Sequence, residues 1–171
     1  MQFKTTGQKG SSKVGGRTMT KSLSREQELI GEHLDYEIKM LHETRKALRG
    51  EPIPTDVIAN ALMESFCIHA RNLNEFFFEN PRWPDILKAS DFAIGEYKKP
   101  ENPDDRRALF DKINKQVSHL TKDRTSTPQE KIGPDDREEM YSWVHAFLVY
   151  FDDYVRPELR SSWKIKFSQE A

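Results

Sequence analysis

The chain has 171 residues, a formal net charge of −1, one cysteine, and charged residues at 32% of its positions. This length is typical of one domain, and the near-zero net charge excludes a global attraction to nucleic acid or to an anionic membrane. No apolar run approaches the roughly 18 residues of a membrane span, so no membrane partner is expected. One cysteine excludes an internal disulfide, and the chain start lacks a signal-peptide pattern, so a cytoplasmic location is expected.

The N-terminal segment 1–22 is rich in Gly, Ser, Thr and Lys, and contains five basic residues and no acidic residue. This composition predicts a disordered basic arm, either an extension that contacts phosphates or a flexible tail. The folded domain is predicted to be residues 23–160, a single helical bundle, and residues 161–171 are predicted to be a C-terminal tail.

Apolar residues at helical spacing predict four helices. The first begins at the capping box Ser24-Arg25-Glu26-Gln27 and ends near Arg49. The second runs from Thr55-Asp56 to about Glu79. It carries the richest apolar stripe, with Phe66 near its middle, and it is predicted to be the most buried helix.

A long irregular connection, residues 80–103, follows the second helix, with a short helix predicted within 86–93. The third helix is predicted from Pro103 to about Arg124. The fourth is predicted from Pro134 to about Val155, because a proline followed by acidic residues suits a first helical turn. Nothing alternates with a period of two, so the fold class is all-α. The predicted architecture is an antiparallel four-helix bundle with this long connection between helices 2 and 3.

The five histidines do not follow a di-iron pattern. Such a bundle needs a glutamate three residues before an inward histidine, and no acidic residue stands at that spacing before His33, His42, His69, His119 or His145. A three-histidine site from separate helices, for example His42, His69 and His145, stays open as an alternative. No metal and no cofactor is expected, and Cys67 is predicted to be a buried structural thiol.

Polar residues interrupt the apolar second helix at His69, Arg71 and Asn72. At about 100° per residue, Arg71 lies opposite the stripe, on a predicted solvated face. That face also holds Asn60, Glu64, Cys67 and Asn74. An Arg71–Glu75 ion pair is expected there. His69 lies on the stripe itself, where the alternatives are a hydrogen-bonded core histidine and a site residue.

The third helix contains a second polar run, Asn114-Lys115-Gln116-Val117-Ser118-His119. A histidine of near-neutral pKa can transfer a proton at physiological pH. The cationic side chains of Lys115 and Arg124 can hold a phosphate.

At this run the chain resembles the HEPN superfamily of compact helical bundles, many of which are metal-independent ribonucleases of toxin–antitoxin and phage-defence systems, while others are RNA-binding or dimerising modules. The family motif is an arginine, a polar residue, and a histidine a few residues further on. Here Asn114 stands at the position of the motif arginine, and Arg71-Asn72 carries the first half of the motif. The resemblance implies a catalytic pair, His119 and Arg71. It also implies RNA or phosphate binding by Asn114, Lys115, Arg124, Asn72 and His69.

Two functions follow as expectations. The first is RNA binding or cleavage, in which His119 is the general base on a ribose 2′-hydroxyl and Arg71, Lys115 or Arg124 stabilises the phosphorane. The alternative is a non-enzymatic helical dimerisation or protein-interaction module, and a homodimer is expected. A basic patch gathering Arg71, Lys115 and Arg124 favours the first, and an exposed apolar face on the second or fourth helix favours the alternative.

Overall fold

The computed structural model describes residues 24–50, 55–78, 85–100, 104–114 and 131–163, and over these ranges the fold is all-α as predicted. In chain order the elements are α1 (Arg25–Glu28), a π-helical segment (Leu29–Leu34), α2 (Asp35–Arg49), α3 (Asp56–Phe78), α4 (Ala89–Phe92), α5 (Asp104–Ile113), α6 (Pro134–Asp152) and a 3₁₀ turn (Pro157–Leu159). Within these ranges, β-type backbone pairing is limited to one isolated antiparallel bridge, between Ala93 and Val155.

Local capping fixes the starts of α1 and α6. The Ser24 hydroxyl accepts a hydrogen bond from the Gln27 backbone N–H at 3.2 Å, and the Gln27 side chain accepts one from the Ser24 N–H at 2.9 Å. At α6, Pro134 occupies the first turn and the Asp136 carboxylate accepts from the Gly133 N–H at 2.9 Å. These bonds satisfy helix-end donors that would otherwise lack partners, and both predicted helix starts are confirmed.

The core is centred on α3, which packs along α2 and also contacts α5 and α6. Phe66 is fully buried, and Phe76 and Phe77 meet Phe151 of α6 with ring centroids 5.3 and 6.0 Å apart. These edge-to-face contacts add to the stabilisation from apolar burial. The predicted central position of the second helix is therefore confirmed. The antiparallel four-helix bundle stays a prediction, since most of the predicted third helix lies outside the described residues.

The connection after α3 is tied to the end of α6. Within it, the predicted short helix is α4, whose Phe92 is buried. The Ile94 N–H donates to the Tyr154 carbonyl at 2.7 Å, and the Arg156 N–H donates to the Phe92 carbonyl at 3.1 Å. These bonds hold residues 92–94 against the chain that leaves α6.

The chain packs as far as residue 163. The Trp163 indole N–H donates to Asp152 at 2.6 Å, and its ring lies edge-on to Phe151. Ser162 is also buried, and a Cβ added at Gly31 would lie 3.2 Å from its carbonyl oxygen. Residues 161–163, assigned from sequence to a C-terminal tail, thus contain two residues packed against the helices. The predicted arm at 1–22 lies outside the described residues.

Candidate functional site

A cavity of about 500 Å³ opens beside the π-helical segment and the start of α2, and we call it the acidic pocket. Its polar lining is Glu32, His33, Tyr36, Glu37, Asn72 and Glu75. Its apolar lining is Leu34, Leu73, Phe76, Ile86 and Leu87. A volume of this size, with an apolar floor and a few convergent polar groups, is typical of small-ligand sites.

The π-helical segment supplies one wall of this pocket. Glu32, His33 and Leu34 belong to it, and Tyr36 and Glu37 follow in the first turn of α2. A π-helical turn inserts an extra residue into the helical repeat, which rotates the side chains after it relative to a regular α-helix. The sequence predicted an uninterrupted α-helix here, so the π-helical turn itself was not predicted.

Glu37 is the centre of a polar network at the pocket. Its Oε2 accepts hydrogen bonds from His69 Nδ1 at 2.7 Å and from Asn72 Nδ2 at 3.0 Å. The His69 side chain is only 9% exposed, and the Tyr36 ring lies edge-on to it. Two predicted site residues, His69 and Asn72, therefore meet on one carboxylate. His69 is a hydrogen-bonded, buried histidine, as one of the two alternatives stated.

Sequence reasoning missed Glu37, although a signal was present. Glu37 lies three residues after Leu34 and four before Leu41, both of them buried. An acidic residue at that spacing falls on the apolar stripe of its helix, where a partner is needed to offset its desolvation.

Arg71 forms the predicted ion pair with Glu75, with Nε and Oε1 2.9 Å apart. Both side chains are about one-third exposed, so solvent screening leaves this pair a small contribution to stability. Cys67 is buried, which confirms its prediction as a structural thiol, whereas the predicted solvated face around Arg71 is wrong at Asn74, which is buried as well. α3 packs against α6, and at Cys67 burial, followed by the charge of the Asp136 carboxylate of α6, raises the pKa to about 12.

The remaining predicted site residues stand at the end of α5 or beyond it. Asn114 is half-buried directly after Ile113, and α5 contacts α3. Lys115, His119 and Arg124 lie outside the described residues. The basic patch of Arg71, Lys115 and Arg124 thus stays a prediction.

A second polar group bridges α2 and α6, and we call it the seam cluster. It consists of His42, Arg45 and Arg49 of α2 with Arg137, Glu138, Tyr141 and His145 of α6. Arg45 donates twice to Glu138, at 2.7 and 2.9 Å, and its guanidinium lies 3.8 Å from the centroid of the Tyr141 ring. Three arginines thus surround a single carboxylate.

The charges of the seam cluster shift its ionisation. Burial raises the pKa of Glu138, but the hydrogen bonds from Arg45 and Arg137 outweigh burial and hold this pKa below its usual range. Burial, followed by the charges of Arg45 and His42, lowers the pKa of His145. His145 is consequently neutral near pH 7. Its ring stacks on Tyr141, whose hydroxyl shares a 3.1 Å hydrogen bond with His42 Nδ1.

The side of α3 away from the core carries apolar residues exposed to solvent, and we call it the α3 face. Val57 is 77% exposed and Ile68 is 47% exposed, and Ala61 between them is exposed as well. Successive spacings of four and seven residues place these three side chains within about 40° on the helix. The exposed side chains of Glu64 and Asn72 continue the same strip.

No three His, Cys, Asp or Glu side chains converge as a metal-binding group in the described ranges. Over the same parts of the chain, no helix has the length and apolar content needed to cross a bilayer. Comparison of the chain with protein-family models, curated proteins and solved structures found no match.

Proposed function

We propose that the protein is a helical dimerisation module whose α3 face binds a second copy of the chain. The observation that carries the proposal is the exposure of Val57, Ala61 and Ile68 on one strip of the helix whose other side is the core. An isolated exposed apolar residue is ordinary, whereas an aligned strip on a rigid helix is typical of an interaction surface.

A two-fold pairing of this face is self-complementary. With two α3 helices antiparallel, Val57 of one copy lies opposite Ile68 of the other, and Ala61 lies opposite Glu64. The apolar strip from residue 57 to 68 is about 16 Å long, which corresponds to a small interface and a weak dimer. Because Phe66 and its neighbours anchor α3 in the core, the face is already ordered before binding, which lowers the entropic cost of association.

The test is the oligomeric state of the full chain by sedimentation velocity across a concentration series. Ile68→Glu should shift the population to monomer, because it places a charge opposite Val57 of the second copy. Val149→Glu is the matched control, since Val149 is 48% exposed but lies on α6. A wild-type protein that stays monomeric at every concentration, or a dimer unaffected by Ile68→Glu, contradicts the proposal.

A second candidate function is RNA binding at the seam cluster, favoured by the excess of arginine over carboxylate there. Phosphate oxygens bind guanidinium groups through charge-assisted hydrogen bonds. The environment of Arg71 is less suitable, because its guanidinium pairs with Glu75, one of the three pocket carboxylates. The HEPN-like prediction of cleavage by His119 belongs to this candidate as its catalytic form.

Fluorescence anisotropy with a labelled single-stranded RNA tests this candidate. Arg49→Gln should weaken binding and reduce its salt dependence, whereas Arg25→Gln, an exposed change in α1, should leave binding unchanged. Cleavage is assayed with EDTA present: products with cyclic phosphate ends that vanish in His119→Ala support a ribonuclease. RNA that neither binds nor is cleaved removes this candidate and leaves the dimerisation module.

Two further elements of the proposal come from the sequence. We propose that the predicted helices form an antiparallel four-helix bundle, with α3 as the helix shared by the core and the dimer interface. We also propose that the protein acts in the cytoplasm, where its single thiol would remain reduced.

A further inference from the structure

The acidic pocket shares the edge residue Asn72 with the α3 face and no residue with the seam cluster, and neither function above uses it. Three carboxylates line it, from Glu32 of the π-helical segment, Glu37 of α2 and Glu75 of α3. The pocket therefore has carboxylates on two walls, contributed by different helices. A phosphate or carboxylate ligand would be repelled there, whereas a cation is attracted.

The carboxylates retain acceptor capacity for a ligand. Both described hydrogen bonds to Glu37 go to Oε2, and the ion pair of Glu75 uses Oε1. The other oxygen of each makes no hydrogen bond within the described ranges, and the same holds for the exposed Glu32. A carboxylate can accept about four hydrogen bonds, so each of these groups can still bind an N–H donor.

The apolar floor sets the second requirement on the ligand. Leu34, Leu73, Phe76, Ile86 and Leu87 offer a hydrocarbon surface below the carboxylates. A bare metal ion or a fully polar cation would leave this surface in contact with water. An aliphatic chain that ends in a charged nitrogen covers the apolar floor and reaches the carboxylates at once.

We propose that the acidic pocket binds an aliphatic primary amine, with its alkyl chain on the apolar floor and its ammonium groups on the carboxylates. A small diamine fits better than a single amine, because the carboxylates of Glu32 and Glu75 stand on different walls. A lysine side chain of a partner protein carries one ammonium, whereas carboxylates on two walls match the two ammonium groups of a free diamine.

Isothermal titration of the full chain with 1,5-diaminopentane tests the proposal. Saturable one-to-one binding is expected, weakened by added salt. Pentylamine should bind more weakly than the diamine, and 1,5-pentanediol, which has the same chain without charge, should not bind. A lysine residue blocked at both ends is the second arm: binding as tight as the diamine would assign the site to a protein side chain.

Variants connect the binding to this pocket. Glu32→Gln and Glu75→Gln should each weaken binding of the diamine by about tenfold or more. This is the range for the loss of a hydrogen bond to a charged group. Neither change removes a buried contact, so thermal melts should stay close to wild type. Glu43→Gln, an exposed change on α2 outside the pocket, is the control and should bind as the wild type does.

The outcomes decide the proposal independently of the proposed dimer. Ile68→Glu, which should dissociate the dimer, should bind the diamine normally because Ile68 does not line the pocket. Absence of saturable binding up to millimolar diamine, equal binding of the neutral diol, or unchanged binding in both glutamate variants overturns the proposal.

Discussion

Replacing Phe66 by alanine tests the central position of α3 most directly. Phe66 is 0% exposed and belongs to the apolar core shared by α2, α3, α5 and α6. Removing a fully buried aromatic ring costs the lost burial and leaves a cavity, about 3–5 kcal/mol in total. The higher helix propensity of alanine returns about 0.5 kcal/mol of this. The net cost is therefore about 2.5–4.5 kcal/mol, and at about 2–4 °C per kcal/mol the melting temperature should fall by roughly 5–18 °C.

The assay is urea denaturation followed by far-UV circular dichroism, with equal m values as the check that both proteins unfold in the same way. Ile68→Ala is the matched control on the same helix, because Ile68 is 47% exposed and its loss should cost below about 1 kcal/mol. A cost below about 1 kcal/mol for Phe66→Ala, or equal costs for the two variants, would refute the assignment of α3 as the centre of the core.

The remaining predictions concern other parts of the fold. Burial raises the pKa of Cys67 to about 12, so a thiol reagent should leave it unmodified in the native protein and modify it in urea. Because the folded-state pKa of His145 is lowered, the unfolded chain binds more protons below the ordinary value of 6.5, and stability should fall as the pH drops through that range. His145→Asn should reduce this loss, as urea denaturation on either side of pH 6.5 would measure. A chain beginning at Met19 should melt within about a degree or two of the full chain, because the arm has no apolar periodicity. A chain ending at residue 160 should melt several degrees lower, since it lacks the buried Trp163.

The resemblance to HEPN proteins favours RNA handling, whereas the exposed apolar side chains of α3 favour the non-enzymatic alternative. The criterion set for the non-enzymatic alternative, an exposed apolar face on the second helix, is met by Val57 and Ile68. The criterion for RNA handling needs Lys115 and Arg124, which lie outside the described residues. The arginines that the structure does bring together, at the seam cluster, were not singled out from sequence, because Arg45 and Glu138 lie far apart along the chain.

The sequence by itself determined the features that depend on near neighbours in the chain. The capping box at Ser24, the start of α6 at Pro134 and the Arg71–Glu75 pair all involve residues within four positions of each other. The burial of Phe66 followed from helical periodicity, because the richest apolar stripe must be covered. The capping bonds and the Arg71–Glu75 pair are set by helical geometry alone, whichever helices pack together.

Only the tertiary structure decided which faces meet. His69 and Glu37 lie 32 positions apart, and His42 and Tyr141 lie 99 apart, so no local pattern pairs them. Asn74 of α3 was predicted to lie on a solvated face, because its polar neighbours suggest water, and it is buried instead. The π-helical segment that forms one wall of the acidic pocket was likewise not predicted. Each of these features depends on how whole helices are placed, which is determined by the summed packing of the core rather than by any short stretch of residues.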